Sequence, residues 1–287
     1  MSEYKEQKAS MQGPSIREQR HMLCENLSFS AAEAYKLLRT NLMYSIPNKE
    51  GGRVIGVTSS TRGEGKTTNA INLSYTLAET GAKVLLIDGD MRLPNVAKRL
   101  ALDGKIGLSG LLVGLYDEDK AVQESGILPS LTVMTSGTLP PNPAELLGSD
   151  RMRLSIEKMR NQYDFVVIDL PPVNIVTDAL IVSGLVDGMI VMVRQDYTDR
   201  RALKECMSSL ELVGAHVLGF VMEDAQEEGG KYGRYKYRYG RRYGNYKKYS
   251  KYGYQGKYGY YDGYAYAEAA EKNEEASSQK SDETTAK

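Results

Sequence analysis

Histidine and cysteine are scarce, with two of each in 287 residues. His21 and His216 stand far apart, so a histidine-centred mechanism is not expected. Cys24 and Cys206 lack the spacing of metal ligands and read as isolated thiols of a reducing compartment rather than a disulfide or a zinc site. There is no apolar run of the roughly 18 residues that a membrane span needs. The N-terminal stretch MSEYKEQKAS lacks the apolar core of a secretory signal, and a cytoplasmic location is expected. Net charge is also absent, because 37 basic residues balance 37 acidic ones. The chain as a whole therefore implies no nucleic-acid or membrane partner.

What is present starts with VIGVTSSTRGEGKTTNAINLS, Val54 to Ser74. The β-branched run Val54, Ile55, Val57 reads as a buried strand. Ser60, Arg62, Gly63, Glu64, Gly65, Lys66, Thr67 and Thr68 follow, and a helical pattern then begins with Ala70, Ile71, Leu73 and Leu77. Strand, glycine loop, lysine, hydroxyl and helix is the layout of a phosphate-binding P-loop. Glycine lets backbone N–H groups turn inward around a polyphosphate, and the helix N-terminus adds partial positive charge. Lys66 is expected on the β- and γ-phosphates and the Thr67 hydroxyl on Mg²⁺, making ATP and Mg²⁺ the expected cofactors. The consensus G-x-x-x-x-G-K-[ST] has glycine where this chain has Ser60. Glu64 is expected to offer its backbone N–H to the phosphates and to turn its side chain to solvent.

Two acidic motifs follow. KVLLIDGDMRLP, Lys83 to Pro94, is a buried strand ending in Asp88, Asp90 and Arg92; YDFVVIDLPP, Tyr163 to Pro172, is another ending in Asp169. Open α/β sheets bind ligands outside the carboxyl ends of their strands. Clustered carboxylates repel one another unless a cation lies among them. A metal set of Thr67, Asp88, Asp90 and Asp169 is expected, with Asp88 or Asp90 as proton acceptor. A single strand ending in Asp often does no more than cap the next helix; two of them behind a P-loop are harder to explain that way.

Residues 1–28 read as a flexible arm, 29–225 as the P-loop domain, and 226–287 as a disordered tail. Phe29 to Ser45 shows helical periodicity, with Ala32, Tyr35, Leu38 and Leu42 on one face and Glu33, Lys36 and Arg39 on the other. Strands are expected at 53–58, 83–88, 132–135, 165–169, 188–194 and 217–222, and helices at 66–79, 94–101, 107–114, 149–161, 176–184 and 199–213. The proline-rich stretch 137–147 is expected to lead into a short helix. Alternation of this kind predicts an α/β fold, a doubly wound, mostly parallel sheet with helices on both faces.

The composition breaks near Glu223. Tyrosine then recurs as Tyr232, Tyr235, Tyr237, Tyr239, Tyr243, Tyr246, Tyr249, Tyr252, Tyr254, Tyr258, Tyr260, Tyr261, Tyr264 and Tyr266. Ten Lys and Arg are interleaved with them, and Asp262 is the one acid, so the segment from Gly229 to Tyr266 carries a charge near +9. Almost no aliphatic side chain is available to offset ordering entropy. Three roles fit such a tail: stacking on nucleic-acid bases, self-association, or accepting phosphate from the adjacent P-loop domain.

The motifs together resemble the bacterial tyrosine kinases of capsule and exopolysaccharide synthesis, in their cytoplasmic Gram-positive form. TSSTRGEGKTT corresponds to Walker A, LLIDGDMR to the Walker A′ motif peculiar to these enzymes, and VVIDLPP to Walker B; GLSGLLVG, PPNPAELL and the tyrosine cluster extend the match. The resemblance implies an ATP-dependent autokinase with Lys66, Asp88 and Asp90 catalytic, acting on the tail tyrosines of a neighbouring subunit. It implies a ring assembled in the unphosphorylated state through Glu33, Lys36 and Arg39. A membrane-bound polysaccharide co-polymerase would activate the kinase at the inner face of the membrane, a cognate phosphatase would reverse it, and no nucleic acid would be involved. The family's E-x-x-R-x-x-R has lysine here at Lys36, which keeps the charge and loses the bidentate fork. A positioning ATPase of the MinD/ParA type shares the fold, but its signature lysine, five residues before the Walker lysine, is Thr61 here. An RNA-binding ATPase would need a recognisable RNA-binding module.

Overall fold

The computed structural model describes residues 27–46 and 51–225. His21, Cys24, the arm up to residue 26, and the tail with its tyrosine cluster lie outside them. Helix α1, Phe29–Ser45, starts where the Ser28 hydroxyl accepts from the Ala31 N–H. Strand β1, Arg53–Ser59, leads through the glycine loop into α2, Lys66–Ala78, and then β2, Val84–Asp88. Short helices α3, Val96–Leu100, α4, Leu108–Val113, and α5, Glu118–Ala121, precede β3, Gln123–Glu124, and β4, Leu131–Met134. The chain continues as α6, Pro143–Leu147, α7, Asp150–Gln162, β5, Phe165–Asp169, and α8, Asp178–Ser183. It ends in β6, Gly188–Arg194, α9, Arg200–Leu212, and β7, Val217–Glu223.

The strands lie in the order β3-β4-β2-β5-β1-β6-β7, every pair parallel except β3 with β4. Period-two alternation divides the side chains between two cores. Leu85, Ile87, Val166 and Ile168 face a core completed by α4, α6, α7, α8 and α9. Val84, Leu86, Phe165 and Val167 face the other, completed by α1, α2 and Val96 of α3. A sheet covered on both faces has apolar runs, not alternating polar ones, in its central strands, as β2 and β5 show. The doubly wound reading is borne out. The additions are β3, too short to show any period, and the four-residue α5.

Strand β5 inserts between β1 and β2, so the chain leaves β1, passes over β5 and returns on its far side. The crevice at that reversal receives the loop after β1 and the carboxyl ends of β2 and β5. Register places Asp88 beside Asp169. The crossing is tight at Gly89, whose N–H donates to the Asp169 carbonyl at 2.8 Å. A Cβ there would stand 2.9 Å from that oxygen and 3.0 Å from Ile168 Cγ2. Gly89→Ala is expected to destabilise the domain by about 1–3 kcal/mol through overpacking, read as a fall in melting temperature; an unchanged melt would show that the strand ends can spread at no cost.

Candidate active site

The loop Ser60–Thr68 is held in shape from within. Gly63 and Gly65 adopt φ of +80° and +86°, a region that side chains with a Cβ rarely occupy. Glu64 departs from the expectation that it faces solvent. Its side chain is buried and accepts from the Ser60 hydroxyl at 2.9 and 3.1 Å, the Thr61 N–H at 2.8 Å and the Thr198 hydroxyl at 2.5 Å. A carboxylate with four such contacts is a brace for the loop. Ser60 is buried with it, its hydroxyl committed to Glu64. Of the expected nucleotide-binding residues, Arg62, Gly63, Gly65, Lys66, Thr67 and Thr68 line a cleft of about 210 Å³, whereas Ser60 and Glu64 do not.

The three aspartates reach the same edge in different ways. Asp88 is fully buried; its Oδ2 accepts from the N–H groups of Asn95 and Val96, and its Oδ1 from that of Asp90. It therefore caps α3 from the end of β2. Asp169 is also buried, with Oδ2 accepting from the Thr67 hydroxyl at 2.6 Å. Asp169 Oδ1 is buried and receives no hydrogen bond from the described residues. Burial pushes the carboxyl pKa of Asp88 well above the usual range, helped by Asp169, while the Val96 N–H opposes it. Burial likewise raises that of Asp169, against the pull of Lys66 and the Thr67 hydroxyl. Asp90 accepts from the Leu93 N–H and lines the cleft directly.

Such a pair of buried carboxyls beside a hydroxyl fits a divalent cation, and the orphaned Asp169 oxygen is an open ligand position. Among the described residues no three acidic, histidine or cysteine side chains are gathered as a ready cation cage. Asp88, with both oxygens on backbone N–H groups, is the least available of the expected ligands.

Several supports were not foreseen. Arg92 forks onto Asp178 at 2.9 and 3.0 Å, tying the segment after β2 to α8. Arg99 joins Arg62, Lys66 and Arg92 around the cleft. Arg194 donates to the Gly63 carbonyl and pairs with Asp224, and the Tyr197 hydroxyl donates to the Arg62 carbonyl. None of these has a local sequence signal, because each partner is far along the chain. On α1, Lys36 pairs with Glu33 at 2.8 Å on the outward face. Arg39 departs from that face and donates to the Thr76 carbonyl in the last turn of α2. A cation at a helix C-terminus is favoured by its unsatisfied carbonyls. Cys206 is buried, and burial, with Glu64 nearby, pushes its thiol up to about 11, as befits an inert core thiol. His216 is tied to the Asp187 carbonyl.

Removing the Glu64 carboxylate leaves the buried Ser60 hydroxyl short of an acceptor, at about 1–3 kcal/mol, and the half-buried Thr61 N–H and Thr198 hydroxyl at less. Glu64→Ala is expected to weaken ADP·Mg²⁺ binding at least roughly tenfold, with Glu64→Gln in between. Calorimetric titration checks this; wild-type affinity in Glu64→Ala would mean that the loop keeps its shape without the brace.

Comparison with known proteins agrees with this geometry. Residues 52–217 match the family model described as AAA domain. The chain is 36% identical over 191 residues to the tyrosine-protein kinase YwqD of Bacillus subtilis, covering 67% of this chain and 80% of that one. The crystal structure of the chimerical protein CapA2B2 superposes with a TM-score of 0.64 at 34% identity, over 68% of this chain and 85% of that one. The septum site-determining protein MinD of Pyrococcus horikoshii, complexed with Mg-ADP, shares the fold at 24% identity and a TM-score of 0.52, over 62% of this chain and 72% of that one. A nucleotide-binding P-loop, the paired strand-end aspartates and these relatives lead to one assignment: the chain belongs to the bacterial tyrosine-protein kinases.

Proposed function

We propose that this kinase uses ATP and Mg²⁺ to phosphorylate the tyrosines between Tyr232 and Tyr266 on a neighbouring copy, and thereby regulates the synthesis and export of a capsular or extracellular polysaccharide. The observation that carries the reading is the placement of Asp90 in the same cleft as Lys66 and Thr67. It supports Asp90 as a proton acceptor beside a phosphate loop. Thr67, Asp90 and Asp169 would hold Mg²⁺, with Asp88 behind them, and the cation supplies charge neutralisation for the phosphates. Lys66 adds a point charge on the phosphates, and Arg62, Arg92 and Arg99 complete a positive rim. The tyrosine Oη forms a bond to the γ-phosphorus as the bond to the ADP oxygen breaks, and the phenolic proton passes to Asp90. A phenol with pKa about 10 needs that acceptor at neutral pH.

Asp90 is favoured over Asp88 as the acceptor because Asp88 is buried behind it and occupied with capping α3. Asp90→Asn is expected to lower kcat by about 10²-fold or more with nucleotide affinity changed only a few-fold. Asp88→Asn is expected to lower the melting temperature first, and Lys66→Ala to abolish phosphotyrosine in a folded protein. Phosphotyrosine blotting after incubation with ATP·Mg²⁺, alongside thermal melts, separates these. Full labelling in Lys66→Ala refutes the site, and an unaffected Asp90→Asn refutes the acceptor.

The resemblance supports a membrane-bound polysaccharide co-polymerase as activator at the inner face of the membrane, and a cognate phosphotyrosine phosphatase. Among the described residues no helix is long and apolar enough to cross a membrane. The outward Glu33–Lys36 pair supports assembly through α1, with Arg39 holding that helix on its own domain. Each phosphate adds about −1.5 to −2, so five or six neutralise the tail's charge near +9. A basic tail approaches an acidic Mg²⁺ site and a polyanionic one is repelled. The unphosphorylated protein is expected to be oligomeric and the heavily phosphorylated one smaller. Light scattering before and after ATP measures it; an unchanged mass with several phosphates per chain contradicts the switch. No observation favours the positioning-ATPase or nucleic-acid reading.

A further inference from the structure

The Tyr35 side chain of α1 reaches α2 just behind the phosphate loop. The Tyr35 hydroxyl donates to Asn69 Oδ1 at 2.8 Å and accepts from Asn72 Nδ2 at 3.0 Å. Asn69 is buried in the second turn of α2. Its Nδ2 donates to the Gly65 carbonyl at 3.0 Å and to Glu223 Oε2 at 2.6 Å. The Asn69 backbone N–H donates to the same Gly65 carbonyl at 2.9 Å. Three partners thus dictate which way round the Asn69 amide sits: oxygen toward Tyr35, nitrogen toward Gly65 and Glu223.

The consequence lies in the geometry of the peptide unit. The Gly65 carbonyl and the Lys66 N–H belong to one planar trans peptide, and they point in opposite directions. Pinning the carbonyl against α2 aims the N–H out of the helix start, where an anion would sit. Gly65 has φ +86° and no side chain of its own to cap the helix, so its carbonyl is held by the Asn69 backbone N–H and by the Asn69 amide as a second donor. Asn69 supplies the hold from the helix, and Tyr35 fixes Asn69.

We propose that Tyr35 is a positioning residue for nucleotide binding, acting through Asn69 on the Gly65–Lys66 peptide, so that the docking of α1 sets the affinity of the phosphate loop. The proposal rests on the nucleotide-site reading above. By linkage, a bound nucleotide strengthens the docking of α1 in return, which connects the site to the helix expected to carry assembly.

The test is calorimetric titration of the full chain with ADP·Mg²⁺, in the wild type, Tyr35→Phe, Asn69→Ser and the double variant. Tyr35→Phe keeps the ring packing and removes one hydrogen bond, so it is expected to weaken binding roughly 3- to 10-fold. The double variant is expected to be no weaker than Asn69→Ser alone, because both act on one link. In turnover, KM for ATP is expected to rise in Tyr35→Phe with kcat unchanged. Thermal melts check folding; if Asn69→Ser does not fold, Asn69→Asp, which keeps the acceptor for Tyr35 and loses the amide donor, takes its place. Unchanged affinity in Tyr35→Phe, or losses that multiply in the double variant, overturns the proposal. A wild type that binds no ADP·Mg²⁺ overturns the nucleotide site itself and this inference with it, and that outcome is distinct from the other two.

Discussion

Two buried carboxyls held side by side, Asp88 on β2 and Asp169 on β5, are the constraint around which the rest of the site is arranged. Like charges in a desolvated place cannot both be left bare. Asp88 is compensated by two backbone N–H groups at the start of α3 and one within its own turn. Asp169 has a hydroxyl on one oxygen, Lys66 nearby, and no partner among the described residues on the other. The asymmetry separates their tasks. Asp88 shapes the segment that carries Asp90, and Asp169 holds the Thr67 hydroxyl at the start of α2.

The loop itself is braced by acids and amides rather than by its glycines alone. Glu64 fastens it from inside to Thr198, Arg194 and Tyr197 hold its carbonyls from behind, and Asn69 fixes its last peptide from α2. These contacts come from β6, the segment after it, and α2. The phosphate loop is therefore a meeting point of distant segments. At the end of β7 the Glu223 carboxylate reaches Asn69. The end of β7, helix α1 and the start of α2 thus meet at Asn69.

Much of this was legible in the chain. Central strands buried on both faces must be apolar throughout, so β1, β2, β5 and β6 announce themselves, and the aspartates ending β2 and β5 follow from the open-sheet rule. What escaped has physical reasons. A charged residue between two loop glycines reads as exposed, yet Glu64 is buried by a hydroxyl 134 positions away. Helical period put Arg39 with Glu33 and Lys36, but a long side chain at the edge of a face can swing to a helix C-terminus, as it does to Thr76. Two residues cannot display a period, so β3 left no signal. Asp88, open to reading as a helix cap or as a site residue, caps α3 through two backbone N–H groups beside the cleft that Asp90 lines.

The central claim is that the phosphate loop of one chain serves the tail tyrosines of another. It is tested most directly by mixing two full-length variants with ATP·Mg²⁺: one carrying Lys66→Ala with an intact tail, the other with an intact core and every tyrosine from Tyr232 to Tyr266 changed to Phe. Mass spectrometry then locates the phosphate. The account predicts phosphotyrosine between Tyr232 and Tyr266 on the Lys66→Ala chain and almost none on its partner. Label absent from both chains, or confined to the chain without tail tyrosines, would contradict it.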